Sequence, residues 1–204
     1  MISMSDFTTK KITYFSKTGT ENTEKAIELA AERAREGDIR KVVVATSSGD
    51  MGLSTYEAFK DTDIEVVPVL LNCGSKYSAP GGGWTKNKSR YDKLGLKYVQ
   101  GIQAFSGVER AVNERWGTAG PALLMSDALR IPCEGFKVCV EITLMACDSG
   151  FVAPDEKVIA IAGTGRGADT VMTVKPAYSG QFFDFAVQEI ICKPIVAGIK
   201  HEAR

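Results

Sequence analysis

Apolar positions along the chain switch between helical and strand spacing, and the switches outline an α/β architecture. Residues 11–15, Lys-Ile-Thr-Tyr-Phe, read as a short strand followed by a turn. Thr18 and Glu21 have capping-box spacing, with Asn22 as an alternative cap. Ile27, Ala30, Ala31 and Ala34 then repeat at helical spacing, and Gly37 stands where a glycine closes a helix. Val42, Val43, Val44 and Ala45 form a continuous apolar run, the mark of a strand covered on both faces. Residues 46–52 read as a loop, 53–59 as a short helix and 64–71 as a third strand. Pro68 cannot donate to a sheet ladder, which puts that strand at an edge or a bulge. Alternation at this spacing requires crossovers, and so a parallel sheet with helices on both faces.

The middle of the chain is less regular. Residues 72–90 hold Gly81, Gly82 and Gly83 beside Trp84, with Lys76, Lys86, Lys88 and Arg90 around them. A helix is expected from about Lys88 to Gly95, then a strand over 96–100. Residues 106–116 are helical in pattern, and Pro121 suits the first turn of a further helix through Ile131. The alternation within 137–148 also suits a strand, but its length and the trailing Ser149-Gly150 favour a helix. Residues 157–162 read as a strand, 170–175 as its hairpin partner and 188–192 as an edge strand. With no internal repeat and no linker, 1–204 reads as one α/β domain.

Composition narrows the function classes. Basic and acidic residues balance at 25 each, so no net field draws nucleic acid or an anionic membrane. No apolar run approaches the roughly 20 residues of a bilayer span, and the N-terminus lacks the apolar segment of a secretory signal. The cytoplasm is the expected compartment. Cys73, Cys133, Cys139, Cys147 and Cys192 are scattered, and the single histidine is His201. Zinc sites and Ser-His-Asp or Cys-His catalysis need tighter clusters than this. Reduced core thiols and no metal are expected.

Two loops carry the candidate chemistry. Thr46, Ser47, Ser48, Gly49, Asp50, Met51 and Gly52 lie between a buried strand and a helix. Hydroxyls, unpaired N–H groups and glycine at a helix entry suit an anion, although Asp50 would repel one if it pointed inward. The alternative is an ordinary strand-to-helix turn. Gly163, Thr164, Gly165, Arg166, Gly167, Ala168, Asp169 and Thr170 follow the strand at 158–162. Alternating glycines exceed what a tight hairpin needs, and Arg166 matches phosphate geometry. The spacing is not the dinucleotide-binding G-x-G-x-x-G. Here the alternative is a wide hairpin with a solvated arginine. Two such loops leaving strand C-termini lie where an open α/β sheet binds its ligand.

These phrases carry a resemblance. Residues 25–49, a helix then V-V-V-A-T-S-S-G, and the tail 157–172 resemble the C-terminal domain of pyruvate kinase. The phrases at 21–23, 105–110, 137–141 and 163–170 are similar to small stand-alone, mainly archaeal proteins of that fold, whose function is uncharacterised. The resemblance implies a three-layer α/β/α fold with a mostly parallel sheet and flavin mononucleotide (FMN) as the associated cofactor. By position, Thr46, Ser48 and Gly49 take the phosphate role, and Gly165, Arg166 and Thr170 that of the effector-loop residues. Asp169 stands where the kinase loop carries Asn, and Met51-Gly52 where it carries small polar residues. Kinase activity is not implied, because the catalytic barrel has no counterpart.

The expected function is therefore binding of a phosphorylated ligand, FMN, at the C-terminal edge of the sheet. The alternative is a non-catalytic regulatory module for a sugar phosphate or nucleotide. Cys73, after the third strand, is the one thiol to test for reactivity, though a turn without ligand contact is favoured. Residues 81–84 read as a surface loop anchored by Trp84 rather than as a lid. Glu141 and Asp148 would share a helix face as paired carboxylates, a pattern that Glu28, Glu32 and Glu36 repeat at no catalytic site. No general acid or base stands out.

Overall fold

The computed structural model describes residues 7–196. His201 and the start of the N-terminal stretch lie outside the described residues. Seven strands form one sheet in the order β1-β7-β6-β5-β2-β3-β4. They are β1 (Thr13–Phe15), β2 (Lys41–Ala45), β3 (Glu65–Leu70), β4 (Val99–Gln100), β5 (Val158–Ala162), β6 (Thr170–Lys175) and β7 (Ala186–Pro194). Every pairing is parallel except the two made by β6, the one reversed strand. The helices are α1 (Thr23–Ala34), α2 (Asp50–Phe59), α3 (Gly83–Leu94), α4 (Gly107–Trp116), α5 (Pro121–Leu129) and α6 (Glu134–Asp148). No described helix is long and apolar enough to cross a membrane.

The central strands are buried because both faces are covered. Val42, Val44, Ile159, Ile161 and Val171 pack with Ala26, Ala30 and Ala34 of α1. The alternate residues Val43, Val67, Ala160 and Met172 pack with Cys139, Val140 and Leu144 of α6. The two-residue period of a strand thus divides one apolar run between two helical layers. The expected mostly parallel sheet with helices on both faces is present.

Several boundaries differ from expectation. The capping box of Thr18 and Glu21 does not form: residues Thr20–Asn22 make a 3₁₀ turn, and α1 starts at Thr23. Asn22 instead donates through Nδ2 to the Lys17 carbonyl at 2.9 Å. Helix α2 starts three residues early, at Asp50, because Gly49 turns the chain with φ of 92°. Helix α3 starts at Gly83, so Trp84 is a core residue in its first turn and not part of a surface loop. Trp84 and Tyr91 meet edge to face at 4.9 Å, and that packing outweighs the poor helix propensity of Gly83 and Asn87. Strand β4 has only two residues. It pairs with Val69 and Leu70, leaving that flank of β3 open at Pro68, where an edge residue was expected. Strand β7 is not an edge: it has nine residues and lies between β6 and β1.

Candidate functional site

Strand β2 pairs with β3 on one side and β5 on the other; the chain leaving β2 runs to β3, and the chain leaving β5 runs to β6 on the opposite side. The helices follow suit, with α1 and α2 on one face and α6 on the other. This is the topological switch point of an open α/β sheet, where ligands bind beyond the strand C-termini. A cavity of about 850 Å³ opens there, walled by Ala45–Thr46, Leu70–Leu71 and Gly163 at the ends of the three strands.

The β2–α2 loop gives the cavity one rim. Thr46 continues the ladder, its N–H donating to the Val69 carbonyl at 2.9 Å. Its hydroxyl is shielded from solvent and has no hydrogen-bond partner among the described residues. Thr46, Ser47, Ser48 and Met51 line the cavity. Gly49 and Gly52 do not, because they face α3. A Cβ on Gly49 would lie 3.0 Å from Asn87 and 3.1 Å from the Trp84 ring, and one on Gly52 would overlap the Tyr91 hydroxyl. That hydroxyl donates to the Gly49 carbonyl at 2.8 Å, and burial raises its pKa well above the usual phenol range. Asp50, the first residue of α2, also lines the cavity. Its carboxylate accepts from Ser48 Oγ at 2.6 Å and Asn87 Nδ2 at 2.7 Å. The helix entrance therefore already carries one acid, which opposes an anion on that helix alone.

The β5–β6 loop, leaving the neighbouring strand, gives a second rim. Gly163, Gly165, Arg166 and Gly167 line the cavity. Thr164, Asp169 and Thr170 do not: they hold the loop. Asp169 is fully buried and accepts from Gly19 N at 3.3 Å, Thr164 N at 3.1 Å and Thr170 Oγ1 at 2.8 Å. The Ala168 N–H donates to Thr23 Oγ1 at 3.0 Å, and a Cβ on Gly167 would collide with that same oxygen. The loop is thus clasped to the start of α1, and Thr20 and Thr23 join the rim. Arg166 projects at the tip, exposed and with no ion pair among the described residues.

Sequence reasoning missed the third wall. Arg110 from α4, Arg130 after α5, and Glu134, Lys137 and Glu141 from α6 all line the cavity. Arg130 is tied to Glu134 at 2.6 Å and to Asp127 at 2.8 Å. Lys137 is ion-paired with Glu141, both nearly enclosed. The other oxygen of Glu141 accepts the Phe105 N–H at 3.1 Å. Arg110 is exposed and, like Arg166, has no ion pair among the described residues. The missed signal was spacing: Glu134, Lys137 and Glu141 recur along one face of an otherwise apolar helix. Asp148, seven residues on, is engaged elsewhere: it accepts from Ser179 N at 2.9 Å. Cys73 is exposed and outside the cavity lining.

Fold and cavity together define an α/β protein with a mostly parallel seven-stranded sheet and a cavity at the C-terminal ends of β2, β3 and β5. No family model matches the chain. Among solved structures it is similar to an NH3-dependent NAD synthetase from Campylobacter jejuni subsp. jejuni NCTC 11168, solved in complex with the nitrate ion. Identity is 20% and the TM-score 0.37, over 68% of this chain and 54% of that one. The chain thus spans about half the length of the protein it matches. A likeness this weak carries no functional argument.

These findings correct the resemblance to the pyruvate kinase C-terminal domain and its stand-alone relatives. No family model supports it, and the matched structure is of another kind. The physical reason is that T-S-S-G and alternating-glycine phrases arise wherever parallel strands end at a ligand edge. They report local turn chemistry, not kinship. The roles given by position to Thr46, Ser48, Gly49, Gly165, Arg166 and Thr170 lapse with it.

Proposed function

We propose that the switch-point cavity binds a phosphate-bearing molecule of nucleotide size, with FMN as the ligand. One observation carries this reading: both hydroxyl- and glycine-rich loops meet there with two guanidinium groups, Arg110 and Arg166, that no described carboxylate occupies. The lining holds four basic residues against three acidic ones, an excess of one positive charge. The two unpaired cations outnumber Asp50, which already has two hydrogen-bond donors.

The volume and the lining support this reading. About 850 Å³ lies within the roughly 300–1,000 Å³ of small-molecule sites. Arg166, Ser47 and Thr23 would hold the phosphate, and the apolar wall of Val138, Ile142 and Met145 would take a flat ring. Bound flavin would supply the redox chemistry itself. A non-catalytic binding module is the second reading. It is favoured by Glu134 and Glu141, each locked to a cation rather than free for proton transfer.

Titration with FMN and riboflavin, followed by flavin fluorescence, tests the proposal. FMN is expected to bind far more tightly, because riboflavin lacks the phosphate. Arg166→Ala should weaken FMN by roughly ten- to a hundred-fold, the effect of a lost charged hydrogen bond. Equal affinities for the two flavins would sink the phosphate reading.

A further inference from the structure

Lys137 and Glu141 are out of place for stability alone. Eleven of the fifteen residues of α6 are buried, and this pair sits among them with side chains each 8% exposed. Replacing a buried ion pair with apolar residues is often neutral or stabilising, so burial alone gives no reason for one here. An ammonium carries three donors. That of Lys137 has one acceptor among the described residues, Glu141 Oε2, and lies over the Phe105 ring at 5.9 Å. Glu141 is itself fixed through its other oxygen by the Phe105 N–H. The result is a cation held in place by a carboxylate, with unused donors in the cavity wall.

Its location gives those donors a use. The phosphate-type loops stand at the ends of β2 and β5, with α1 and α2 on one face of the sheet. Lys137 comes from α6 on the other face, and apolar Val138, Ile142 and Met145 line the same wall. The cavity lining thus carries polar groups contributed from both faces of the sheet, with apolar residues among them.

We infer that Lys137, positioned by Glu141, binds a carbonyl or carboxylate oxygen at the end of the ligand remote from its phosphate. The ligand class is then an organic phosphate with a second oxygen acceptor, such as the ring carbonyls of a flavin. This rests on the phosphate reading above and adds a second anchor to it.

The test uses the full chain and two probes, FMN and inorganic phosphate, titrated calorimetrically. The variants are Lys137→Met and the double Lys137→Met, Glu141→Leu, which leaves no lone buried charge. The double variant should keep a thermal midpoint near the wild-type value or above it. FMN should weaken at least tenfold more than inorganic phosphate in both variants, and Lys137→Arg should recover part of the loss. A structural pair would not discriminate between the probes, so equal effects on both, or none on either, overturn the second anchor. Wild-type protein that holds FMN no tighter than phosphate also overturns it while leaving the phosphate site intact. Wild-type protein that holds neither overturns both readings.

Discussion

Gly49 shows how a residue singled out for a ligand role can turn out to serve packing instead. A glycine at a helix entry suggests space for a phosphate, yet this one faces Trp84, Tyr91 and Asn87 at φ of 92°. Gly49→Ala should destabilise the fold by about 1–3 kcal/mol, through left-handed strain and crowding against α3. Urea unfolding measures this, and an unchanged midpoint would contradict the packing described. The cysteines were legible in composition: four of five are buried, and Cys73 is exposed. Burial pushes the Cys147 thiol up to about 11 and that of Cys192 up to about 12. Cys133 and Cys139 are also raised by burial. Above the free-thiol value of about 8.5, the unfolded chain releases protons that the native state keeps. Fewer protons on the unfolded chain give a negative slope of stability with pH. Stability should fall as pH rises from about 8.5 toward these values, and less steeply in Cys147→Ala. A thiol reagent at pH 8 should modify Cys73 quickly and the other four only on unfolding.

At the scale of elements, local pattern foretold most of the fold. The apolar run of β2, the length of α6 and the β5–β6 hairpin are each set by residues near in sequence, and the structure has all three. The failures are those where distant contacts decide. Strand β7 looks half-polar because its alternation is interrupted by register shifts against β6, and because Glu189 pairs with the buried Arg33 of α1 at 2.6 Å. Nothing in residues 186–194 announces that β1, a three-residue strand from the other end of the chain, completes its far side. Asp169 is the same kind of case. It reads as a loop acid beside a ligand, and it instead joins Gly19 to both ends of the glycine loop. Asp169→Ala would leave three donors without their acceptor and should cost about 2–4 kcal/mol. Asp169→Asn should recover part of this, since the amide oxygen still accepts. Chemical denaturation of the two variants checks the order, and equal losses would mean that the carboxylate charge matters more than its acceptor geometry.

Over the whole molecule, the candidate site is the product of one topological fact: the chain leaves the neighbouring strands β2 and β5 in opposite directions across the sheet. That fact was half legible. The loops after β2 and β5 betray themselves by glycines and hydroxyls, because turn chemistry is local. The α6 wall does not, because only the completed sheet brings Lys137 and Glu141 opposite loops some ninety residues from them and about thirty beyond. A ligand in this cavity would touch the ends of β2, β3 and β5 together with the starts of α1 and α2. It would therefore bind the native chain and have no equivalent site on the unfolded one. Stabilisation by mass action follows: at a hundred times its dissociation constant a ligand adds about 2.7 kcal/mol. For a chain of 204 residues, each kcal/mol moves the thermal midpoint by about 2–4 °C, so FMN should raise it by about 5–11 °C. Riboflavin at the same concentration should give a much smaller rise, and Arg166→Ala should reduce the FMN shift by about 3–9 °C. A scan in which both flavins shift the midpoint equally would mean that the ring alone is held. A scan in which neither does, at millimolar ligand, would mean that this switch point holds some other molecule.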